Sequence, residues 1–384
     1  MRREPFLLRP DVVFLNHGSF GACPRPVFDV YQQWQRELEG QPVEFLGRRF
    51  AGMMAEARAA LGGYVGADPE DLVYVPNATT GINIVARSLP LAAGDEVLST
   101  DQEYGAAERT WRFVCERRGA RFIQVALPAP AGTPEQITDA LWAQVTSRTR
   151  VVFLSHVTSP TALILPVAQL VGRAREAGIV TVIDGAHAAG QLPLDLDALG
   201  ADFYAANCHK WMCAPKGSGF LWARREKQSL LAPLVVSWGW PEGFIKEQEW
   251  QGTRDPAAFL ATPAAIEFLR SPAWSGVRER CHALAAEGRA GLLALGGGPA
   301  LSPDGAGWYA QMVSVPLPLA DGEEAQRRLR EEFAIEIPVV AWRHVQLMRI
   351  SVQGYNTKGD IEALLAATAR LLEDPRTGPT HGAP

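Results

Sequence analysis

A lysine beside a histidine, at the end of an apolar run, is the chemical focus of this chain. The segment 202–220 (DFYAANCHKWMCAPKGSGF) opens with strand-type residues and turns polar at Asn207. It then delivers His209 and Lys210 ahead of a tight turn and a second apolar run at 219–223. Lysine is scarce: among 37 Lys and Arg residues it occupies only positions 210, 216, 227, 246 and 358. Arginine stays protonated, whereas a desolvated lysine loses its proton and can form a Schiff base. Lys210 reads as such an amine, and Lys216, inside the turn, as a solvated cation.

Upstream, 184–190 (DGAHAAG) closes the apolar run 179–183. An aspartate at the end of a buried strand is costly unless it meets a cation. A protonated pyridine nitrogen is one such cation, and a Schiff-base lysine with an aspartate partner is the pyridoxal phosphate arrangement. A phosphate needs donors, and Thr79, Thr80, Asn207 and His209 are candidates. The junction 71–86 passes from strand to helix, and a helix start with hydroxyls and open N–H groups suits an anion. Taken alone, an ordinary Asn or Thr cap explains 77–80 as well. Tyr104, after 101–103 (DQE), suits the face of a flat ring.

The elements that must position these residues alternate along the chain. Strand patterns at 71–76, 96–100, 121–125, 150–156 and 179–184 interleave with helical patterns at 77–86, 105–118, 134–145 and 167–177. The strands are short, β-branched and apolar throughout, as expected when helices cover both faces of a parallel sheet. The expected fold class is α/β, with a mainly parallel, doubly wound sheet whose ligand site lies at the carboxyl ends of the strands. Polar residues gather at five such ends: 77–80, 100–104, 156–159, 184–187 and 207–210. Two amphipathic helices, 27–46 and 48–65, precede the sheet. After residue 223 an aromatic, glycine-punctuated stretch leads to an apolar helix at 257–269. A small α+β unit follows, with strands at 309–315 and 348–352 and helices at 322–333 and 358–372. The expected domains are an N-terminal arm (1–25) packing with the small domain, a large cofactor-binding domain (26–255) and a small C-terminal domain (256–372). A Pro/Gly/Thr-rich tail, 373–384, is expected to be disordered.

Composition sets outer bounds. With 47% hydrophobic and 21% charged residues, the 384-residue chain has ordinary globular composition. A net charge of −5 gives no reason to expect nucleic acid or an anionic membrane as partner. The five cysteines form no CxxC pair, and their odd number and scatter favour reduced thiols in the cytoplasm. No apolar run reaches membrane-spanning length, and residues 1–10 lack a signal-peptide core.

With these residues in place, the chain resembles the class V aminotransferase superfamily of fold-type I pyridoxal phosphate enzymes. The strongest matches are 77–86, 155–167, 183–190 and 207–220. Within it, the branch typified by isopenicillin N epimerase is most similar, through 15–21 (LNHGSFG), 41–45 (QPVEF), 103–105 (EYG), 155–160 (SHVTSP), 250–256 (WQGTRDP) and 354–357 (GYNT). The resemblance implies pyridoxal phosphate as cofactor, Lys210 as Schiff-base lysine and Cα proton carrier, and Asp184 as partner of the ring nitrogen. It implies His187 at the ring hydroxyl, Tyr104 stacked on the ring, and Ser159 where desulfurases carry an Asn near the ring oxygen. Thr253 matches a residue that reaches the phosphate of a neighbouring subunit, which implies a homodimer with shared sites. Arg349 matches the clamp on a substrate carboxylate, and the arm residues Asn16 and His17 fall on the substrate side.

Departures separate the branches. A cysteine desulfurase needs a thiol on the loop before that arginine, and 337–348 (IPVVAWRHVQLM) has none. Cys208 and Cys213 read as buried packing. Trp238 and Trp240 read as interface or core aromatics. The expected function is chemistry at Cα of an amino acid or a derivative, with an epimerase or racemase first and a C–S lyase or class V aminotransferase as alternatives. A metal enzyme using His17, His156, Asp184, His187 and His209 lacks any HExxH or CxxC-type set and leaves the lysine unexplained. A non-catalytic scaffold leaves the filled cofactor constellation unexplained.

Overall fold

The computed structural model describes residues 4–374 and 376–378. Strand β1 (Val13–Phe14) belongs to the N-terminal arm. Strands β2 (Leu72–Val75), β3 (Glu96–Thr100), β4 (Arg121–Val125), β5 (Thr149–Ser155), β6 (Val180–Asp184), β7 (Phe203–Asn207) and β8 (Gly219–Ala223) form one sheet. Its order is β2-β8-β7-β6-β5-β3-β4. Strand β8 pairs antiparallel with both neighbours, and every other pairing in the sheet is parallel.

The period of two along these strands builds two cores. Val151 and Phe153 of β5 join Val182, Phe203 and Leu221 under the helices Ala78–Ser88 and Gly105–Arg118. Val152 and Leu154 join Ile183, Tyr204 and Phe220 on the opposite face, under Phe50–Val65, Pro134–Trp142 and Val167–Glu176. With both faces covered, the strands have no polar side, which is why they read as continuous apolar runs. Truncating Phe153, which is fully buried, would cost about 3–5 kcal/mol. The architecture is the mainly parallel α/β fold with helices on both faces that the alternation implied.

A third core is built mainly from residues beyond 276. Strands β9 (Met312–Leu317), β11 (Val339–Trp342) and β12 (Val345–Ser351) make an antiparallel sheet in the order β11-β12-β9. The helices Val277–Ala294, Gly322–Phe333 and Lys358–Glu373 pack on it through Leu284, Leu329 and Leu364. The arm is stitched to this unit: β1 runs parallel to β10 (Ile335–Glu336), and Asn16 bridges to Ser351. Leu15 is wholly buried in the same core.

One local departure has a clear cause. The first of the two amphipathic helices runs Arg25–Gly40, and the chain restarts through Pro42–Glu44 and a π-helical segment at Phe45–Arg49 before Phe50–Val65. Proline at 42 offers no N–H to continue the ladder. Within the segment 373–384, Thr377 is buried, donates to Leu371 O and accepts from Arg328. Residues 375 and 379–384 lie outside the described set. Among the described residues, no helix is long and apolar enough to cross a membrane.

Candidate active site

Strand register brings the polar ends together. Asp184, the last residue of β6, lies opposite Ser155 of β5 and Ala205 of β7. Next to β7, Asn207 Oδ1 accepts from Ala78 N at 2.8 Å, tying the end of β7 to the start of the helix Ala78–Ser88. Asn77 caps that helix by accepting from Thr80 N at 2.9 Å and from its hydroxyl at 3.2 Å. The ordinary cap is therefore present, and it uses Thr80. Among the described residues, the amide and hydroxyl of Thr79 and Nδ2 of Asn207 donate to no protein group. His209 Nδ1 donates to Ser218 O at 3.0 Å, and burial holds the ring's pKa down to about 4. Its Nε2 can donate only as imidazolium, a state that an adjacent dianion favours.

Lys210 is held from behind and poised in front. The Gly190 backbone, at φ +97, lies so close that a Cβ would meet Trp211 C at 2.3 Å. At Gly21, φ +70, a Cβ would meet His209 O at 2.0 Å. Only glycine lets both chain segments lie against the lysine's backbone. Lys210 Nζ lies 3.3 Å from His187 Nε2 and 5.8 Å above the ring of Tyr104. Burial pulls its pKa down to about 8, with Arg349 adding to the effect and Asp184 opposing it. His187 sits well below its usual range, first through burial and then through Lys210 and Arg349. Trp211 Nε1 donates to His187 Nδ1 at 3.2 Å. A neutral His187 must then carry its proton on Nε2, facing the lysine.

Two buried charges lack partners. Asp184 is 3% exposed and accepts from Ala186 N at 2.9 Å. Burial raises its pKa, against the pull of that N–H and of Lys210. Arg349, on β12, is 5% exposed and donates to Ser159 O at 2.7 Å, Ser159 Oγ at 3.2 Å and Ser19 Oγ at 3.2 Å. Its Nε is buried with no hydrogen-bond partner. Burial lowers the guanidinium pKa to about 10. Among the described residues neither Asp184 nor Arg349 forms a salt bridge. The site offers a buried anion, a buried cation and a depressed amine, each awaiting something complementary.

Several expected residues have other surroundings. His17 is wholly buried with both ring nitrogens engaged, Nδ1 by Tyr355 OH and Nε2 by Lys210 O, each at 3.0 Å. It reaches the lysine through the backbone and faces no open space. Asn16 donates to Glu336 at 3.2 Å and accepts from Ser19 at 2.6 Å, so it orients the serine that touches Arg349. Thr253 is exposed and lines an apolar groove with Phe50, Trp238 and Trp250, a groove whose lining does not include Lys210. Trp238 is 87% exposed and Trp240 57%, which excludes the core reading for both. Cys208 and Cys213 are wholly buried, and burial pushes the Cys208 thiol up to about 12. His156 Nδ1 meets Tyr204 OH at 2.9 Å. Among the described residues, no three His, Cys, Asp or Glu side chains gather as a metal site.

Sequence reasoning missed three contributors. Trp211 and Ser19 carry no signal of their own type and matter only through what they touch. Glu103 is buried and accepts from Thr100 Oγ1 at 2.7 Å and from Ser155 N and Oγ at 2.9 and 2.6 Å. It locks the end of β3 to that of β5, directly before Tyr104. An acidic residue inside 101–103 was the available clue.

Comparison with known proteins bears on the fold and the family. Isopenicillin N epimerase of Amycolatopsis lactamdurans is 38% identical over 96% of this chain and 97% of its own. The putative L-cysteine desulfhydrase 1 of Oryza sativa subsp. japonica is 32% identical over 94% and 84%, respectively. Among solved structures, the cystine C–S lyase C-DES in complex with cysteine persulfide superposes with a TM-score of 0.84 at 24% identity, covering 96% of this chain and 99% of that one. The family profile described as Aminotransferase class-V matches residues 13–364. This chain belongs to the class V aminotransferase family.

Proposed function

We propose that the protein is a pyridoxal phosphate enzyme acting at Cα of an amino acid or an amino-acid derivative, with epimerisation as its principal reaction. The observation that carries this reading is the set of uncompensated charges around Lys210. Asp184 fits a pyridinium nitrogen, the open donors of Thr79 and Asn207 fit a phosphate, and the orphaned Nε of Arg349 fits a carboxylate. Tyr104, half exposed and facing the amine, fits a flat ring.

When bound, pyridoxal phosphate supplies an electron sink that makes the Cα proton removable. Lys210 would hold the cofactor covalently, and its free Nζ, with a pKa near 8, is suited to both taking and returning the Cα proton. Arg349 orients the substrate by its carboxylate, with Ser159 and Ser19 fixing the plane of the guanidinium. Asp184 holds the ring nitrogen's proton. His187, its proton kept on Nε2 by Trp211, presents a donor to the ring oxygen.

The epimerase relatives at 38% identity and the absence of cysteine from 337–348 favour epimerisation over desulfuration. The desulfhydrase relatives support a second reading, a C–S lyase that uses the same proton step on a cysteine derivative. A class V aminotransferase uses it as well. Incubation with an amino-acid panel in D₂O separates them. An epimerase yields Cα-deuterated product of both configurations without keto acid; sulfide with pyruvate identifies the lyase. Absence of any Cα exchange would refute the reading.

The reading includes a homodimer. Trp238 lines the groove that contains Thr253, and its neighbours in the chain Val235, Val236 and Trp240 are, like it, more than half exposed, an apolar stretch that calls for cover. Thr253 then serves the phosphate of the opposite subunit. Trp238→Asp should shift sedimentation toward monomer, and an unchanged dimer would place the interface elsewhere. Five free cysteines, four of them buried, accord with a cytoplasmic protein.

A further inference from the structure

The hairpin that carries Arg349 also reaches across to the loop that carries Tyr104. Strands β11 and β12 are joined at Trp342 and Val345 by a turn of two residues, Arg343 and His344. Arg343 takes a positive φ of 52, which an L side chain adopts at a cost. From that turn its Nε donates to Asp101 Oδ2 at 2.8 Å and its Nη2 to Leu127 O at 2.7 Å. Trp342 Nε1 donates to Asp101 O at 3.2 Å while its ring packs on Leu301 and Leu347. Asp101 in turn accepts from Leu127 N at 3.2 Å, so the turn grips two large-domain segments at once.

The gripped residue begins the segment 101–104. Gln102 bonds Thr161, Glu103 bonds Ser155, and Tyr104 follows. One rigid hairpin therefore has Arg349 in its strand and Asp101 at its tip, and the span between the guanidinium and the Tyr104 ring is set through it. We propose that Trp342 and Arg343 are positioning residues, a latch that fixes the carboxylate-to-ring span and thereby restricts which amino acids fit. This rests on the reading of Arg349 and Tyr104 given above. The latch is partly solvated, with Arg343 and Asp101 side chains 34% and 22% exposed, so salt should weaken it.

The test uses Arg343→Gln and Trp342→Phe in the full-length chain. Hydrogen exchange on the cofactor-free protein should quicken at 101–104 and 341–345 in both variants, with protection elsewhere retained. In the loaded enzyme, KM for the preferred amino acid should rise roughly three- to tenfold with kcat largely kept. Discrimination between large and small amino acids should narrow, and Arg343→Lys should restore part of the KM. KM should rise with ionic strength more steeply in wild type than in Arg343→Gln, which has lost the Arg343–Asp101 pair. Unchanged exchange at 101–104 overturns the latch, and so does faster exchange with unmoved KM and selectivity. Because exchange is read without cofactor or substrate, it stands or falls separately from the chemistry proposed for the site.

Discussion

Trp211 donates its indole N–H to His187 Nδ1 at 3.2 Å, and this single bond decides that a neutral imidazole carries its proton on Nε2, the nitrogen facing Lys210. The ring is too deeply buried to take a second proton, so the tautomer is the only variable left to it. Trp211→Phe keeps the buried ring and removes the donor. In spectra of protein with ¹⁵N-labelled histidine, wild-type His187 should show an unprotonated Nδ1, and the variant a mixture. Turnover should fall about tenfold, the worth of one hydrogen bond at the upper end of its range. An unmixed tautomer in the variant would remove Trp211 from the mechanism.

Lys210 should reveal its depressed pKa in the cofactor-free protein. Below about pH 8 the amine is mostly ammonium and cannot attack an aldehyde; above it, the neutral form dominates. The rate of recombination with pyridoxal phosphate, per mole of free aldehyde, should climb through pH 8 and level off. An ordinary lysine would still be climbing at pH 10. Lys210→Ala should bind the cofactor without a covalent link, so that borohydride treatment leaves the chain's mass unchanged.

Arg349→Ala should raise KM for amino acids much more than it lowers kcat. Removing one partner of a desolvated charge pair costs about 2–5 kcal/mol, roughly 30- to several-thousand-fold in affinity. Arg349→Lys should recover little, because one ammonium cannot replace a guanidinium whose plane Ser159 and Ser19 already fix. Steady-state kinetics on both variants provide the check.

Glu103 should make folding stability depend on pH. Burial raises its pKa from 4.5 to about 7, against three hydrogen bonds that favour the anion. The unfolded chain gives up this proton near pH 4.5, while the folded chain keeps it to about 7. The Glu103 contribution to stability is thus fully present below pH 4.5, declines between 4.5 and 7, and stays lost above. The decline amounts to about 3 kcal/mol. In urea melts of cofactor-free protein, Glu103→Gln should gain on wild type across that window and run parallel above it. Parallel curves throughout would mean that Glu103 titrates normally.

Much of this site is legible in the residues, because strand ends announce themselves where apolar runs turn polar. Asp184, Asn207 and Lys210 lie at such transitions, and the register of β5, β6 and β7 draws the first two together. What escapes is anything whose meaning depends on a distant partner. His17 looks like a polar loop residue until Tyr355 and the backbone of Lys210 enclose it, 338 and 193 positions away. The β11–β12 hairpin escapes for another reason: its turn uses Arg343 at positive φ where glycine or asparagine would have signalled it. Trp238 shows the limit of composition, since a tryptophan alone does not say whether it is covered by its own chain.

The pairing of Val13 with Ile335, and of His17 with both Lys210 and Tyr355, has a consequence for how the protein is made. The ribosome delivers the lysine with more than a hundred residues still to be synthesised. The brace behind its carbonyl cannot close until the chain has grown past Tyr355. A nascent chain therefore carries Lys210 on an unbraced backbone, and the residues around Val13 and His17, made well before it, are among the last to settle. The arm, small as it is, makes completion of the site wait on the residues from Ile335 to Tyr355.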